Sequence, residues 1–230
     1  MLTDHWPLLG LRLHTPRLEL RLPDDDELAA LADLAAAGVH EPDRMPFIVP
    51  WTDQPPARRA RSVVQHHWLR LGNWSPHDWA LNLAVLESGR VVGLQTLAAR
   101  DFAVLRQVST GSWLGTRHQH QGIGTEMRAA VLHLAFAGLD ARHARSGAFE
   151  DNPTSYAVSR KHGYEPDGTT RHAVRGRAVT ERRLLLTRER WQQRHSVPVT
   201  LDGLTPCLPL FGLPDDRGGE QPDRGRGREE

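Results

Sequence analysis

The 230-residue chain contains a single cysteine, Cys207, which excludes an intramolecular disulfide framework and a cysteine-based zinc site. It has almost no excess of charge: 29 Lys and Arg stand against 28 Asp and Glu, for a formal net charge of +1. Proteins that depend on nucleic-acid phosphate carry a large basic surplus, so the balance argues against a nucleic-acid partner. No stretch reaches the ~18 apolar residues of a membrane span. The N-terminal region carries Asp4, Asp24, Asp25 and Asp26 and lacks the continuous apolar segment of a signal peptide. A soluble cytoplasmic protein with no membrane partner is the expectation. Lysine is nearly absent too, since Lys161 is the single one. We read this as a bias toward arginine, which makes clusters such as Arg58, Arg59 and Arg61 solvated faces rather than sites.

Length and composition leave room for a sizeable core. The chain is about one and a half times the ~150 residues of an average domain, and 39% of it is apolar. One body over residues 1–195 with two appendages fits better than two full domains. Residues 214–230, PDDRGGEQPDRGRGREE, hold no apolar side chain and are expected to form a disordered tail. Residues 196–213 mix prolines with Val199, Leu201, Leu204, Leu208, Leu210 and Phe211. That is too apolar for a free linker, so this segment should dock on the body or on a second copy in a homo-oligomer.

The body reads as mixed α/β. Leu18, Leu20 and Leu22 alternate with Glu19 and Arg21 as in a half-buried strand, Pro23 stops it, and Asp24 caps a helix over 25–37. His40 to Trp51 holds three prolines, so it should be a loop whose Met45, Phe47, Ile48 and Trp51 form a binding wall. A helix over 57–71 would bury Val63, Val64, Trp68 and Leu71. Strands are expected over 79–86, 90–97 and 104–114, the first two joined by a Ser88-Gly89 turn. Met127, Ala130, Val131, Leu134 and Ala135 recur at helical spacing in a helix from Gly122 to Ala137. A strand over 144–149, a helix from Asn152 or Pro153 to the Gly163 stop, and a hairpin of 164–173 and 179–187 around Arg175 and Gly176 complete the body.

Most of the chemistry lies in GSWLGTRHQHQGIGTEMRAAVLHLAF, a strand ending near Gly115, a polar turn, and Gly122, Ile123 and Gly124 opening a helix. First-turn amides of a helix lack carbonyl partners and carry the positive end of its dipole, so the N–H groups of Gln121 to Thr125 can converge on phosphate oxygens. Glycines at 122 and 124 let a ligand approach the backbone. A P-loop would need Gly-Lys-Ser/Thr, and a dinucleotide fingerprint a third glycine where Thr125, Glu126 and Met127 stand, so both are rejected.

Gln119-x-x-Gly122-x-Gly124 with its amphipathic helix and strand, then Asn152-x-x-Ser155 ahead of Lys161, His162, Gly163 and Tyr164, resembles the GCN5-related (GNAT) acyl-CoA-dependent N-acyltransferases. Within them it is similar to the ribosomal-protein-alanine acetyltransferase branch. The opening DHWPLLGLRLHTPRL and the loop GVHEPDRMPFIVPW look like an actinobacterial subgroup with a succinyl-CoA-using member. The resemblance spans residues 11 to 191. It implies an α/β (α+β) fold with a central, mostly antiparallel sheet, splayed strands and flanking helices.

It also implies acetyl-CoA or succinyl-CoA as cosubstrate and an amine acceptor, either a protein N-terminus, a lysine or a small molecule. Gln119, His120, Gln121, Gly122, Ile123, Gly124 and Thr125 would wrap the pyrophosphate, and Trp113, Leu114 and Gly115 would pair with the pantetheine arm as with a strand. Asn152 would contact that arm or cap the helix, and Ser155 would act as general acid near the thioester sulfur. A succinyl carboxylate would need a paired cation, for which Arg44, Arg100 and Arg106 are candidates.

Two positions depart from the family pattern. Ser159 stands where many members carry an acid tyrosine, and Gln107, Val108, Ser109 and Thr110 offer no carboxylate base. Asp101, Glu150 and Asp151 are the nearby acids, and none is assigned. The same two departures leave room for a non-catalytic acyl-CoA-binding regulator. The thirteen histidines do not form a metal pattern, because His118-Gln119-His120 and His66-His67 lack i, i+4 spacing.

Overall fold

The computed structural model describes residues 1–194 and 196–214. Its helices are α1 (Leu2–His5), α2 (Asp25–Ala37), α3 (Pro56–Gly72), α4 (Phe102–Leu105), α5 (Ile123–His133), α6 (Pro153–Lys161) and α7 (Arg188–Arg194). Its strands are β1 (Arg12–His14), β2 (Leu18–Arg21), β3 (Asp78–Glu87), β4 (Arg90–Arg100), β5 (Gln107–Leu114), β6 (His143–Phe149), β7 (Glu165–Val174), β8 (Arg177–Thr187) and β9 (Thr200–Asp202). Beyond residue 214, the expected tail lies outside the described residues. Among the described residues no helix is long and apolar enough to cross a membrane.

Local chemistry sets several boundaries where the sequence placed them. Helix α2 starts after Asp24, whose carboxylate accepts from the Glu27 amide while Glu27 accepts from the Asp24 amide, a reciprocal capping box. Ser88 and Gly89 both adopt positive φ, at 50° and 74°, as a tight hairpin between β3 and β4 requires.

Three expectations are corrected. The strand expected to begin at Val104 begins at Gln107, because the preceding residues wind into α4 around fully buried Phe102, flanked by Asp101 and Arg106 at φ 48°. The buried face of α3 carries Val63 and His67, whereas Trp68 is 60% exposed. The helix opened by Gly122 is regular only to His133 and continues as a π-helical turn over Leu134–Gly138.

The strands form one sheet in the order β7-β8-β6-β5-β4-β3-β2-β1-β9, and every adjacent pair is antiparallel except β5 and β6. That parallel pair is registered over only Gln107↔His143, Val108↔Ala144 and Ser109↔Arg145. Parallel neighbours need a crossover, supplied here by α5 on one face of the sheet. On that face Ile123, Met127, Ala130, Val131 and Leu134 join the main core. On the other face, α2 and α3 cover Ala84, Leu86 and Leu94.

The segment after α7 packs on the body: β9 pairs with β1, and Cys207 and Phe211 are fully buried. Phe211 meets Trp79 edge-on at 4.9 Å, and Trp74 Nε1 donates to Leu210 O. Truncating a fully buried aromatic removes both its transfer free energy and its packing, so Phe211→Ala should lower unfolding free energy by about 3–5 kcal/mol. Urea unfolding of the full chain reads this. A loss below 1 kcal/mol would mean that the segment is held only at the surface.

Candidate active site

Strand β5 changes partners along its length. Gly115 donates to Val92 O, so the antiparallel alternation turns the amides and carbonyls of Ser109, Gly111 and Trp113 toward β4. Those of Thr110, Ser112 and Leu114 therefore point toward β6, which has already diverged after the Ser109↔Arg145 pair. A short strand edge around Ser112 is left facing a gap, bounded at one end by the Thr110 hydroxyl bonded to Arg145 O and at the other by Gln119 donating to Leu114 O. The gap opens into a groove of about 1330 Å³ running past the start of α5, the start of α6 and the loop after Gly38.

The glycine turn lies at the open end of this gap. His120 and Gly122 both have positive φ, 62° and 81°, which sends successive amides to one side of the turn. The amides of Gln121, Gly122, Ile123 and Gly124 have no acceptor among the described residues, whereas those of Thr125 and Glu126 donate to Gly122 O. The cradle is thus one residue shorter than expected. A Cβ at Gly124 would meet only Leu114 Cδ1, at 3.9 Å, so its bareness serves the groove rather than the protein's own packing.

A network that sequence reasoning missed fixes this turn. The Glu126 carboxylate accepts from Thr15 Oγ1 at 2.7 Å, Arg17 N at 3.0 Å and Arg17 Nε at 2.7 Å, and Arg17 also donates to Gln121 O. Burial opposes the charge of Glu126, but these bonds outweigh it and hold the carboxyl below its usual range. From the other side, His162 bonds to Thr125 O at 3.0 Å. Burial and the nearby Arg128 guanidinium depress its pKa to about 4.

Of the residues expected at the site, Trp113, Leu114, Gln119, His120, Gly122, Gly124, Thr125, Asn152 and Ser155 line one groove. Three do not. Gly115 faces Leu34, whose Cδ2 lies 2.8 Å from where a Cβ would stand. Gln121 turns its side chain to Arg117 O, and the Ile123 side chain is fully buried, so both offer only amides. The Trp113 main chain faces β4, and its indole lines the groove beside Trp51. Gln119 ties the loops together, donating to Val39 O and Leu114 O. Asn152 caps α6 by accepting from Ser155 N at 3.1 Å.

The expected binding wall forms in part from Met45, Phe47, Ile48 and Trp51, which all line the groove. Of the candidate cations, Arg44 lines it, Arg100 pairs with Asp78 and Arg106 donates to Leu139 O. Of the candidate acids only Asp151 does, joined by Glu41 and Glu181, which sequence reasoning missed. Lys161 lines the groove near Thr125.

Ser159 is fully buried and shares a hydrogen bond with Ser146 at 3.1 Å, so it is internal rather than catalytic. Beneath the gap lies Arg128, 4% exposed, whose Nη1 reaches Ser146 on β6 and Nη2 reaches Ser112 on β5. Its Nε has no hydrogen-bond partner, and the group that offsets its burial is the Tyr164 hydroxyl rather than a carboxylate. The sign of this residue was legible, since its position falls on the stripe shared by Gly124, Val131 and Ala135, where a charge is out of pattern.

Residues 17–165 match the acetyltransferase (GNAT) domain family. The chain belongs to the GNAT family. Three solved structures of similar fold illustrate it. Mycobacterium smegmatis RimJ in complex with CoA-disulfide is 17% identical over 83% of this chain and 97% of that one, with a TM-score of 0.66. RimL, described as a ribosomal L7/L12 alpha-N-protein acetyltransferase in complex with coenzyme A, is 20% identical over 75% and 95%, with a TM-score of 0.58. A GCN5-related N-acetyltransferase from Brucella melitensis is 21% identical over 79% and 80%, with a TM-score of 0.62. These likenesses show a shared overall fold.

Two outcomes follow for this GNAT domain. Gly124→Ala should leave thermal stability unchanged or slightly higher, since Ala outranks Gly in a helix, yet weaken coenzyme A binding measured by calorimetry. The second concerns His162, whose folded pKa lies below the unfolded ~6.5. Between these values the unfolded chain binds the proton and the folded one does not, so stability is lost as pH falls from 6.5 toward 4, by roughly 3 kcal/mol at the lower limit. Thermal melts across this range should show a shallower decline for His162→Asn than for the native chain.

Proposed function

We propose that the chain transfers an acyl group from acyl-CoA to an amine by direct attack. The observation that supports this best is the junction of two features: free amides at Gln121–Gly124 and, beside them, a stretch of β5 edge around Ser112 that faces no partner strand. The first suits a pyrophosphate, and the second suits the amide-bearing pantetheine arm, which can pair with it as an added strand. The family's known cosubstrate is acetyl-CoA.

In this reading the turn and strand edge bind and orient the donor, and Asn152 Nδ2 remains free for the arm after its oxygen caps α6. Ser155 stands on the same groove wall as general acid for the departing thiolate. Orientation carries most of the rate: it is worth up to roughly 7–11 kcal/mol, against 10²- to 10⁴-fold for one positioned acid. The absence of a tyrosine at Ser159 is therefore tolerable.

A succinyl donor is favoured over acetyl by Arg128, a buried cation without a carboxylate beneath the gap where the acyl end would lie. A buried charge is costly unless it is paired, and a succinyl carboxylate would pair it. The acceptor reading is a protein N-terminus of the ribosomal-protein type, in line with RimL, described as a ribosomal L7/L12 alpha-N-protein acetyltransferase, sharing the fold.

Coenzyme A at 100 times its dissociation constant should raise unfolding free energy by about 2.7 kcal/mol. Acetyl-CoA or succinyl-CoA, offered with N-terminal peptides, lysine peptides and small amines, should then release free thiol. Binding without thiol release from any acceptor would favour the regulator instead. Loss of one charge-assisted hydrogen bond is worth about 1.5–3 kcal/mol, so Arg128→Gln should cut succinyl-CoA use by roughly 10- to 100-fold and spare acetyl-CoA.

A further inference from the structure

The groove has a second polar wall, on α3. On α3, His67 is 5% exposed, and its Nδ1 is enclosed without a hydrogen-bond partner, which leaves Nε2 as the ring nitrogen to face the groove. Its level along the sheet follows from its neighbours. Val63 packs in one cluster with Ala84 and Leu94, Arg70 reaches Asp78 at 3.7 Å, and His67, between them on α3, lines the groove together with Asn82 and Thr96. Asn82 registers with Thr96, and Thr96 with Gly111, forming a single row across β3, β4 and β5. A Cβ at Gly111 would meet nothing within 4 Å, so the row ends in open space. That space lies two residues beyond Ser109, where β5 and β6 part and where an arm entering from the glycine turn along β5 must end.

We propose that His67 is the general base of this transfer, accepting at Nε2 the proton of the attacking amine. The proposal rests on the acyltransferase reading above. The amine nitrogen forms a bond to the thioester carbonyl carbon, its proton passes to Nε2, and the carbon–sulfur bond breaks to release the thiolate. The imidazolium then returns its proton to solvent or to the thiolate.

The surroundings suit a neutral base. Burial, then the charge of neighbouring His66, holds the imidazole below its ordinary value, so the ring accepts a proton at neutral pH. The sheet rows facing it, Asn82, Ala84, Leu94, Thr96, Gly111 and Trp113, carry no charge. The other charged and titratable groups that line the groove are His40, Glu41, Arg44, His66, His120, Arg128, Asp151, Lys161 and Glu181. Glu41 and Asp151 are exposed and hydrated, and Glu181 is engaged by His172 at 2.8 Å while filling the space left by Gly147.

Bromoacetyl-CoA tests the placement without needing the natural acceptor. It puts an electrophilic carbon at the acyl position, where an imidazole within reach displaces bromide, forms an N–C bond and loses its proton. Mass spectrometry of the full chain should find the adduct on His67, blocked by excess coenzyme A and absent from His67→Asn. An adduct on His66, Asp151 or Glu181, or none in a protein that coenzyme A stabilises, would overturn the assignment. Absence of any stabilisation by coenzyme A would instead remove the acyltransferase reading itself.

With an amine that supports turnover, His67→Asn and His67→Ala should keep coenzyme A stabilisation and the acyl-CoA KM, and lose about 10²-fold or more in kcat. The native kcat should fall on the acid side as the imidazole protonates, and both variants should lose that limb. Unchanged kcat and pH profile in two folded variants would refute the role.

Discussion

Three residue pairs hold β5 to β6, and the rest of the structure is arranged around how few they are. On one side β5 is locked into a long antiparallel ladder with β4, and on the other β6 is locked to β8 along its whole length. Neither strand can turn to meet the other beyond Ser109 and Arg145. The unpaired main chain would be costly in a dry interior. It is tolerated because the gap opens to a solvated groove, and because Arg128 spans it from below with one nitrogen toward each strand.

The glycine turn has the opposite requirement. Its amides are left unpaired, yet the turn is held still. Rigidity therefore comes from outside the turn: Thr15 and Arg17 grip Glu126 on the first turn of α5, and His162 grips Thr125 O. These contacts join the N-terminal strand region, α5 and α6 at one point. Preorganisation of this kind lowers the ordering cost when a ligand arrives.

Elements governed by local rules were legible in the sequence. The Asp24 helix cap, the Ser88-Gly89 turn and the stripe on α5 each follow from neighbours within four residues, and the glycine turn with Asn152 carried the family pattern. What was hidden depends on tertiary choice. On α3, Trp68 and Leu71 drew the apolar pattern to one side, whereas the packed helix is rotated to bury His67 against β3 and leave Trp68 outside. Asp101 and Glu150 looked near the site along the chain, but sequence proximity says nothing about which way a strand end faces. Glu181 and Arg17 reach the groove region from far away in sequence, and only the sheet order brings them there.

Lys161 has a practical consequence. Because it is the only lysine and lines the groove, amine-reactive dyes, surface-coupling resins and lysine cross-linkers have just two kinds of target on this chain, the N-terminus and the groove itself. Conjugation by that route would plug the cleft. Cys207 gives no easy substitute, since its thiol is buried and pushed up to about 11, so an attachment point has to be engineered on an exposed face away from α6.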